Sequence, residues 1–445
     1  MNESTIPEIA PPFVHRREEL MRRIGPRAVA VVHGSRPARR NRDVEHRYRA
    51  PSDLLFLTGF DEPETWLVIT PGRDEKFTMF VRPRDPEQET WTGRRLGVEG
   101  ATAKLGADKA HPVTELAAKL PDLLDGADEV HYVPGDDPEV DRTIMDAVNT
   151  LRRGERRGRR APVRFIDLVG TLHEIRLIKD AYALARLRRA VEITAEAHTL
   201  AMRAARPGTH EYEIEALLDY TFRRRGAGGP GYGTIAGGGE NATILHYTEN
   251  RDPLRAGELL LVDAGAEVDG FTADVTRTYP IGARFTEAQR RVYEVVLAAE
   301  KACIAMVRPG VSIDEIHARA IELLTEGMVR LGLLDGEVPD LIKSEAYKRF
   351  YMHRTSHWLG LDVHDVGRYA PEGRSRPLEA GMVLTVEPGL YITAATKPEH
   401  KLVPPEFIGI GVRIEDDVLV TPDGHEVLTR AIPKEIDELE ALATA

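Results

Sequence analysis

Residues 254–265 and 378–389 follow one pattern: Leu-x-Ala-Gly, a mostly apolar run, an acid, and a glycine two residues later. The acid is Asp263 in the first stretch and Glu387 in the second, and each has a partner downstream, Asp274 and Glu415 respectively. Asp269-Gly270 suits a type I′ turn between two strands. Such a turn pairs Val268 with Phe271 and Gly265 with Asp274, which makes Asp263 and Asp274 diagonal neighbours on one face, about 7–8 Å apart or less. Like charges so placed repel unless something positive lies between them. Residues 352–367 add three imidazoles, His353, His357 and His364. Carboxylates together with an imidazole are a donor set for two hard or borderline divalent cations. Ions bridged in this way sit about 3.5–4 Å apart and make water a nucleophile near neutral pH. A lone strand Asp or a lone His is ordinarily structural; placement at matched positions of a repeat changes that reading. Nothing in the pattern separates Asp416 and Asp417 from solvated charge.

The elements that must position these groups repeat as well. A helix runs into Arg206-Pro207-Gly208 and a second helix follows; another runs into Arg308-Pro309-Gly310 and again a second follows. Leu184, Leu187 and Val191, and then Ile313, Ile316 and Ala320, have helical spacing. The second part of the chain therefore reads as two copies of a helix–helix–hairpin unit. Upstream, residues 28–33, 54–60, 66–70, 77–81 and 129–133 read as strands, and residues 114–124 and 140–152 as helices. This is an α/β domain. The basic, glycine-punctuated stretch from Arg152 to Arg160 reads as a solvated linker. The alternative is that some of its arginines, such as Arg156, meet a carboxylate-rich surface on a neighbouring subunit. The expected domains are residues 1–173 and 174–445.

Other chemistries lack their marks. There is no His-Glu-x-x-His, Gly-x-Ser-x-Gly, Walker loop or Cys-x-x-Cys. The glycines of residues 226–239 lack the spacing of a phosphate cradle; close approach of backbone to a ligand or hairpin turns account for them equally. His246 follows, near the expected hairpin mouth. Over 445 residues, Asp+Glu 72 against Lys+Arg 60 gives a net charge of −12, which argues against general nucleic-acid or anionic-membrane binding. Cys303 is the single cysteine, so neither an intrachain disulfide nor a thiolate cluster is possible. Residues 1–20 show no secretory h-region, and no apolar run approaches the roughly 18 residues of a membrane span. A cytoplasmic location is expected.

Several motifs carry a family resemblance over essentially the whole chain. They are Tyr48-Arg-Ala-Pro-Ser-Asp-Leu-Leu-Phe-Leu-Thr-Gly-Phe60, Leu245-His-Tyr-Thr-Glu-Asn250, Val262-Asp-Ala-Gly265 and Ala273-Asp-Val-Thr-Arg-Thr278. Further along come Ser356-His-Trp-Leu-Gly-Leu-Asp-Val-His-Asp-Val-Gly367, Val386-Glu-Pro-Gly-Leu-Tyr391 and Gly411-Val-Arg-Ile-Glu-Asp416. In order and spacing the set resembles the aminopeptidase P branch of the creatinase/prolidase/methionine aminopeptidase group. The resemblance implies an N-terminal α/β domain followed by a C-terminal pita-bread domain with an internal pseudo-twofold repeat. It implies two divalent metal ions, usually Mn2+, held by Asp263, Asp274, His357, Glu387 and Glu415. It also implies release of the N-terminal residue from Xaa-Pro peptides by a metal-bridging hydroxide. Glu387 would take the proton of that water, and His364 and His353 would hydrogen-bond the substrate or the oxyanion. His246 would position the scissile region, Arg413 would pair with Asp263 or Asp274, and Tyr391 would contact the substrate. Trp91, and an arginine such as Arg156, resemble positions that reach a neighbouring subunit's cleft in a homotetramer built as a dimer of dimers. Two features depart from the family or stay silent. The loop before Tyr232 is unusually rich in glycine, and no residue visibly sets a proline preference. Prolidase, a non-catalytic pita-bread binding module and a creatinase-like amidinohydrolase are the competing readings; the last two are disfavoured by the intact ligand positions.

Overall fold

The computed structural model describes residues 10–282, 284–393 and 403–444; the first nine residues of the stretch read for targeting lie outside them. The chain divides into two compact units, one from Ala10 to Arg176 and one from Leu177 onward. The expected boundary at residue 173 falls within the helix Val169–Arg176, which closes the first unit.

The first unit is built on a six-stranded mixed sheet. Its strands are β1 (Ala28–His33), β2 (Trp66–Ile69), β3 (Phe77–Val81), β4 (Lys109–Pro112), β5 (Glu129–Tyr132) and β6 (Arg164–Asp167), in the order β4-β3-β2-β1-β5-β6. The pairs β1–β2 and β2–β3 are antiparallel, and the others parallel. The helix Pro138–Arg153 covers one face. Asp137 caps it, accepting the Glu139 N–H, Pro138 takes the first-turn position, and Val140, Ile144, Ala147, Val148 and Leu151 turn one buried stripe inward. They pack on Val29, Val31, Val68 and Phe80 of the sheet.

Residues 54–60, expected as a strand, fold instead as the helix Ser52–Thr58, ended by Gly59 in the left-handed region (φ 64°). Leu54, Leu55, Phe56 and Leu57 are all buried. An apolar run buried on every side has no period to distinguish strand from helix. The basic stretch also differs from a linker. Its start completes the helix Pro138–Arg153, Arg159 reaches Asp122 and Asp125, and Arg160 pairs with Asp128, all within the first unit. Arg156 stays exposed on a short 3-10 turn.

The second unit bears out the repeat at the level of single hydrogen bonds. The helices Ala181–Ala204 and Glu211–Arg224 correspond to Glu287–Met306 and Ile313–Arg330. Between the members of each pair, the Gly208 N–H donates to the Leu254 carbonyl (2.9 Å) and the Gly310 N–H to the Leu378 carbonyl (2.9 Å). Both glycines have φ 91°, a conformation that suits glycine and explains Arg-Pro-Gly at both places. The strands that follow are β7 (Ile235–Gly238), β8 (Leu259–Asp263), β9 (Ala266–Val268), β10 (Phe271–Thr272) and β11 (Thr276–Pro280) in the first copy. In the second they are β12 (Val383–Val386), β13 (Gly389–Ile392), β14 (Ile410–Arg413) and β15 (Asp416–Thr421).

The hairpin register is the expected one. Val268 pairs with Phe271, and Asp269 and Gly270 have φ of 51° and 85°, as a type I′ turn requires. The same register continues as Asp263 opposite Thr276. Its strands, however, are interrupted at residues 264–265 and 273–275 rather than continuous. No described helix is long and apolar enough to cross a membrane.

Candidate metal centre

Each of the four carboxylates stands at an interruption between strands. Asp263 ends β8, Asp274 lies between β10 and β11, Glu387 between β12 and β13, and Glu415 between β14 and β15. At such breaks the ladder gives way and a side chain can turn toward a common point instead of alternating across the sheet. Glycine at 265 makes the first break possible: a Cβ there would lie 1.8 Å from the Ala273 carbonyl oxygen.

The side chains converge. His357 Nε2 lies 3.3 Å from Asp274 Oδ2 and 3.4 Å from Glu387 Oε1. Ligand atoms of Asp274, His357 and Glu415 all lie within 4.8 Å of one another, a spacing one cation can span. Asp263 and Asp274 meet at the Tyr232 hydroxyl, 2.7 Å from Asp263 Oδ1 and 2.6 Å from Asp274 Oδ1. Arg413 donates to Asp263 Oδ2 (2.7 Å), to the Thr276 hydroxyl (2.9 Å) and to the Tyr391 hydroxyl (3.0 Å). The Thr276 hydroxyl in turn donates to Glu415 Oε2 (2.6 Å). All the expected ligands thus meet in one place, and Arg413 selects Asp263.

The electrostatics follow from the crowding. Burial, with Asp274 nearby, raises the Glu387 carboxyl to about 7. Burial and the charge of Asp274 hold Glu415 well above the carboxylate range, and burial with Asp263 raises Asp274. Burial opposes the charged form of His357, but its hydrogen bond to Asp274 and the charge of Glu387 outweigh this and raise it to about 9. Without a cation, protons must neutralise this set; a divalent cation would replace them. The orientation of His357 supports that use, since its Nδ1 faces the Trp358 carbonyl (3.0 Å) and leaves Nε2 toward the carboxylates. The donor set fits divalent metal.

A cavity of about 730 Å³ opens on the centre, and His246, His353 and His364 line it. His364 stands edge-on to His357, ring centroids 4.4 Å apart. His353 is differently placed from the expected free donor. Its Nδ1 faces the Arg354 carbonyl (2.8 Å) and its Nε2 the Tyr391 hydroxyl (2.8 Å), so both ring nitrogens have protein partners. Burial and the nearby Arg413 charge lower it to about 3, so it is neutral. Trp91, on the helix Pro86–Thr92 of the first unit, is 81% exposed and does not line this cavity.

Three residues at or beside the centre carry no mark in the sequence. Tyr232 stands out in the sequence only for the glycine-rich loop before it, yet its hydroxyl joins Asp263 and Asp274. Asp416 and Asp417, which no pattern separates from solvated charge, are both 0% exposed. Asp416 pairs with the buried Arg277 (2.7 Å), and Asp417 Oδ2 accepts the Asp274 N–H (3.2 Å). The only sequence signal was their position directly after Glu415.

Comparison with known proteins agrees with this geometry. Residues 185–422 match the model of metallopeptidase family M24, and residues 13–132 match the aminopeptidase P N-terminal domain. The chain belongs to metallopeptidase family M24. Within it, the chain is 45% identical over 435 residues to the Xaa-Pro aminopeptidase of Escherichia coli (strain K12), covering 97% of each protein. The structure of Pseudomonas aeruginosa aminopeptidase PepP superposes with a TM-score of 0.94 at 45% identity, covering 100% of this chain and 98% of that one. E. coli aminopeptidase P with the inhibitor Pro-Leu gives a TM-score of 0.93 at 44% identity, covering 98% of each chain. The fold is that of an aminopeptidase P N-terminal domain followed along the chain by an M24 pita-bread domain, and the chain is a metallo-aminopeptidase.

Proposed function

We propose that this M24 enzyme removes the N-terminal residue from peptides with proline in second position, using two divalent cations, manganese in our reading, held by Asp263, Asp274, His357, Glu387 and Glu415. The observation that carries this is the meeting of four carboxylates and one imidazole in the lining of a cavity of about 730 Å³. Similarity to Xaa-Pro aminopeptidases along 97% of the chain supports the substrate class. When bound, the cations supply Lewis acidity and an acidified water.

The chain's own groups do the rest. Glu387 lies at the centre with Oε1 3.2 Å from the Thr385 hydroxyl and Oε2 3.8 Å from His353 Nδ1. It accepts the proton of the attacking water and passes it to the leaving proline nitrogen. His364, exposed to the cavity beside His357, donates to the carbonyl oxygen as negative charge grows there. His246, which also lines the cavity, positions the scissile region. Arg413 stays charged and orients Asp263, while His353 acts through Tyr391, whose hydroxyl it holds. Trp91 and an arginine from residues 152–160 complete a neighbouring cleft in a cytoplasmic dimer of dimers; the 81% exposure of Trp91 suits a residue covered by a partner.

The test is hydrolysis of Ala-Pro, Ala-Pro-Ala and Ala-Ala-Ala by chelator-treated protein with and without Mn2+. Mn2+-dependent release of alanine from Ala-Pro-Ala, with Ala-Ala-Ala intact, is expected. Cleavage of Ala-Pro alone would make the enzyme a prolidase. Inactivity of a folded, metal-loaded sample on all of them would overturn the catalytic reading.

A further inference from the structure

Behind the loop that carries His357 and His364 lies an ion pair removed from water. Lys179 Nζ donates to Asp365 Oδ2 at 2.8 Å, and each side chain is 2% exposed. Burying two charges costs several kcal/mol per ion before their attraction offsets it, and a well-packed apolar pair often serves stability as well or better. The position of the pair indicates what it accomplishes instead.

Asp365 directly follows His364, and its N–H donates to the Trp358 carbonyl (2.8 Å). That carbonyl also faces Nδ1 of His357 (3.0 Å), so one oxygen is shared by the metal-site imidazole and the backbone next to His364. The loop is tied on both sides to strands bearing other donors. The Thr385 N–H donates to the His357 carbonyl (3.0 Å), two residues before Glu387, and the Thr272 N–H donates to the Gly360 carbonyl (3.0 Å), two residues before Asp274. Lys179 is itself fixed, its N–H donating to the Gly381 carbonyl (2.8 Å) and its ammonium also to the Leu177 carbonyl (3.3 Å). Gly360 leaves room for the pair: a Cβ there would lie 2.1 Å from Asp365 Oδ2 and 3.0 Å from Lys179 Cε.

We propose that Lys179 and Asp365 are positioning residues that set the register of the 357–365 loop, so that His357 meets the carboxylates and His364 faces the substrate. The proposal rests on the peptidase reading above for its kinetic arm only. Full-length wild type is compared with Asp365→Asn, Lys179→Met and the double variant Lys179→Met/Asp365→Leu. Three quantities are read: Mn2+ affinity of metal-free protein by electron paramagnetic resonance titration, kcat and KM on Ala-Pro-Ala, and Tm. Both single variants should bind Mn2+ about 10–100-fold more weakly and lose kcat by a comparable factor, with KM little changed. The double variant should recover Tm while Mn2+ affinity and kcat stay low. Recovery of all three together would show a merely structural pair and overturn the proposal. So would single variants that lose Tm but keep wild-type Mn2+ affinity, or a failure of every variant to fold. Wild type that binds Mn2+ but leaves the peptide intact would sink the substrate reading and leave the Mn2+ comparison to decide this one.

Discussion

At the scale of single residues, the centre is governed by charge that must be balanced. Asp274 contacts His357 and Tyr232, and its ligand atom lies within 4.8 Å of those of His357 and Glu415. Asp274→Asn should abolish hydrolysis and weaken Mn2+ binding; near-wild-type turnover would sink the two-metal reading. In the proposed mechanism His364 is an oxyanion donor rather than a ligand, so His364→Ala should keep its metal while turnover falls about 10²–10³-fold, the effect of one lost donor. Metal loss in that variant would make His364 a ligand. Because Glu387 titrates at about 7 and must be ionised to bind a cation, acid should weaken metal binding. Between pH 6 and 7 the apparent Mn2+ affinity should rise up to about tenfold for each proton displaced; calorimetry in two buffers counts those protons, and a flat profile with none released would refute the linkage. The four carboxylates were legible because they fall in paired places of a repeat, whereas His357 was set apart from His353 and His364 only by the family resemblance. Tyr232, Asp416 and Asp417 were not, because each acts through the tertiary partner it meets, Asp263 with Asp274, Arg277, and the Asp274 N–H, and no spacing within the sequence announces such a meeting.

At the scale of elements, the centre depends on where strands stop. Asp263, Asp274, Glu387 and Glu415 all occupy strand interruptions, and Gly265 holds the first of these open. Gly265→Ala places a methyl group against the Ala273 carbonyl, so the backbone leading into Asp274 must shift. Lower Tm and weaker Mn2+ binding are expected together, by thermal melt and titration; a folded variant with wild-type affinity would show that the strain is absorbed elsewhere. The hairpin register was readable from Asp269-Gly270 because a two-residue turn dictates every pair beyond it. The interruptions were not, since residues 258–268 keep an apolar pattern straight through them. The helix Ser52–Thr58 departs from the expected strand for a related reason: burial on all sides erases the period that tells helix from strand.

At the scale of the whole molecule, stability should fall on acidification through buried groups that cannot be charged where they lie. His198 is wholly buried, with Nε2 3.0 Å from the Ala264 carbonyl, and burial lowers it to about 4. Its pKa in the unfolded chain is about 6.5, so between those values the unfolded state takes the proton and the folded state does not. Stability is unaffected by this group above about pH 6.5 and is lost below it, by about 1.4 kcal/mol per pH unit. His198→Gln, which keeps a donor for Ala264, should therefore close part of its stability gap to wild type as pH falls from 7.5 to 5; parallel denaturation curves at both pH values would refute this. The two copies of the repeat are stitched where β11 meets β14: the Thr278 hydroxyl lies 2.9 Å from the Arg413 carbonyl, and the Glu415 N–H donates to the Thr276 carbonyl (3.1 Å). The donors lie along that seam, two carboxylates from one copy, two and the imidazole from the other. A chain severed between Pro280 and Glu287 would yield two fragments, neither holding the complete set. Each would be chemically mute alone, and peptide hydrolysis would return only as the fragments found one another, making this enzyme a reporter of its own assembly.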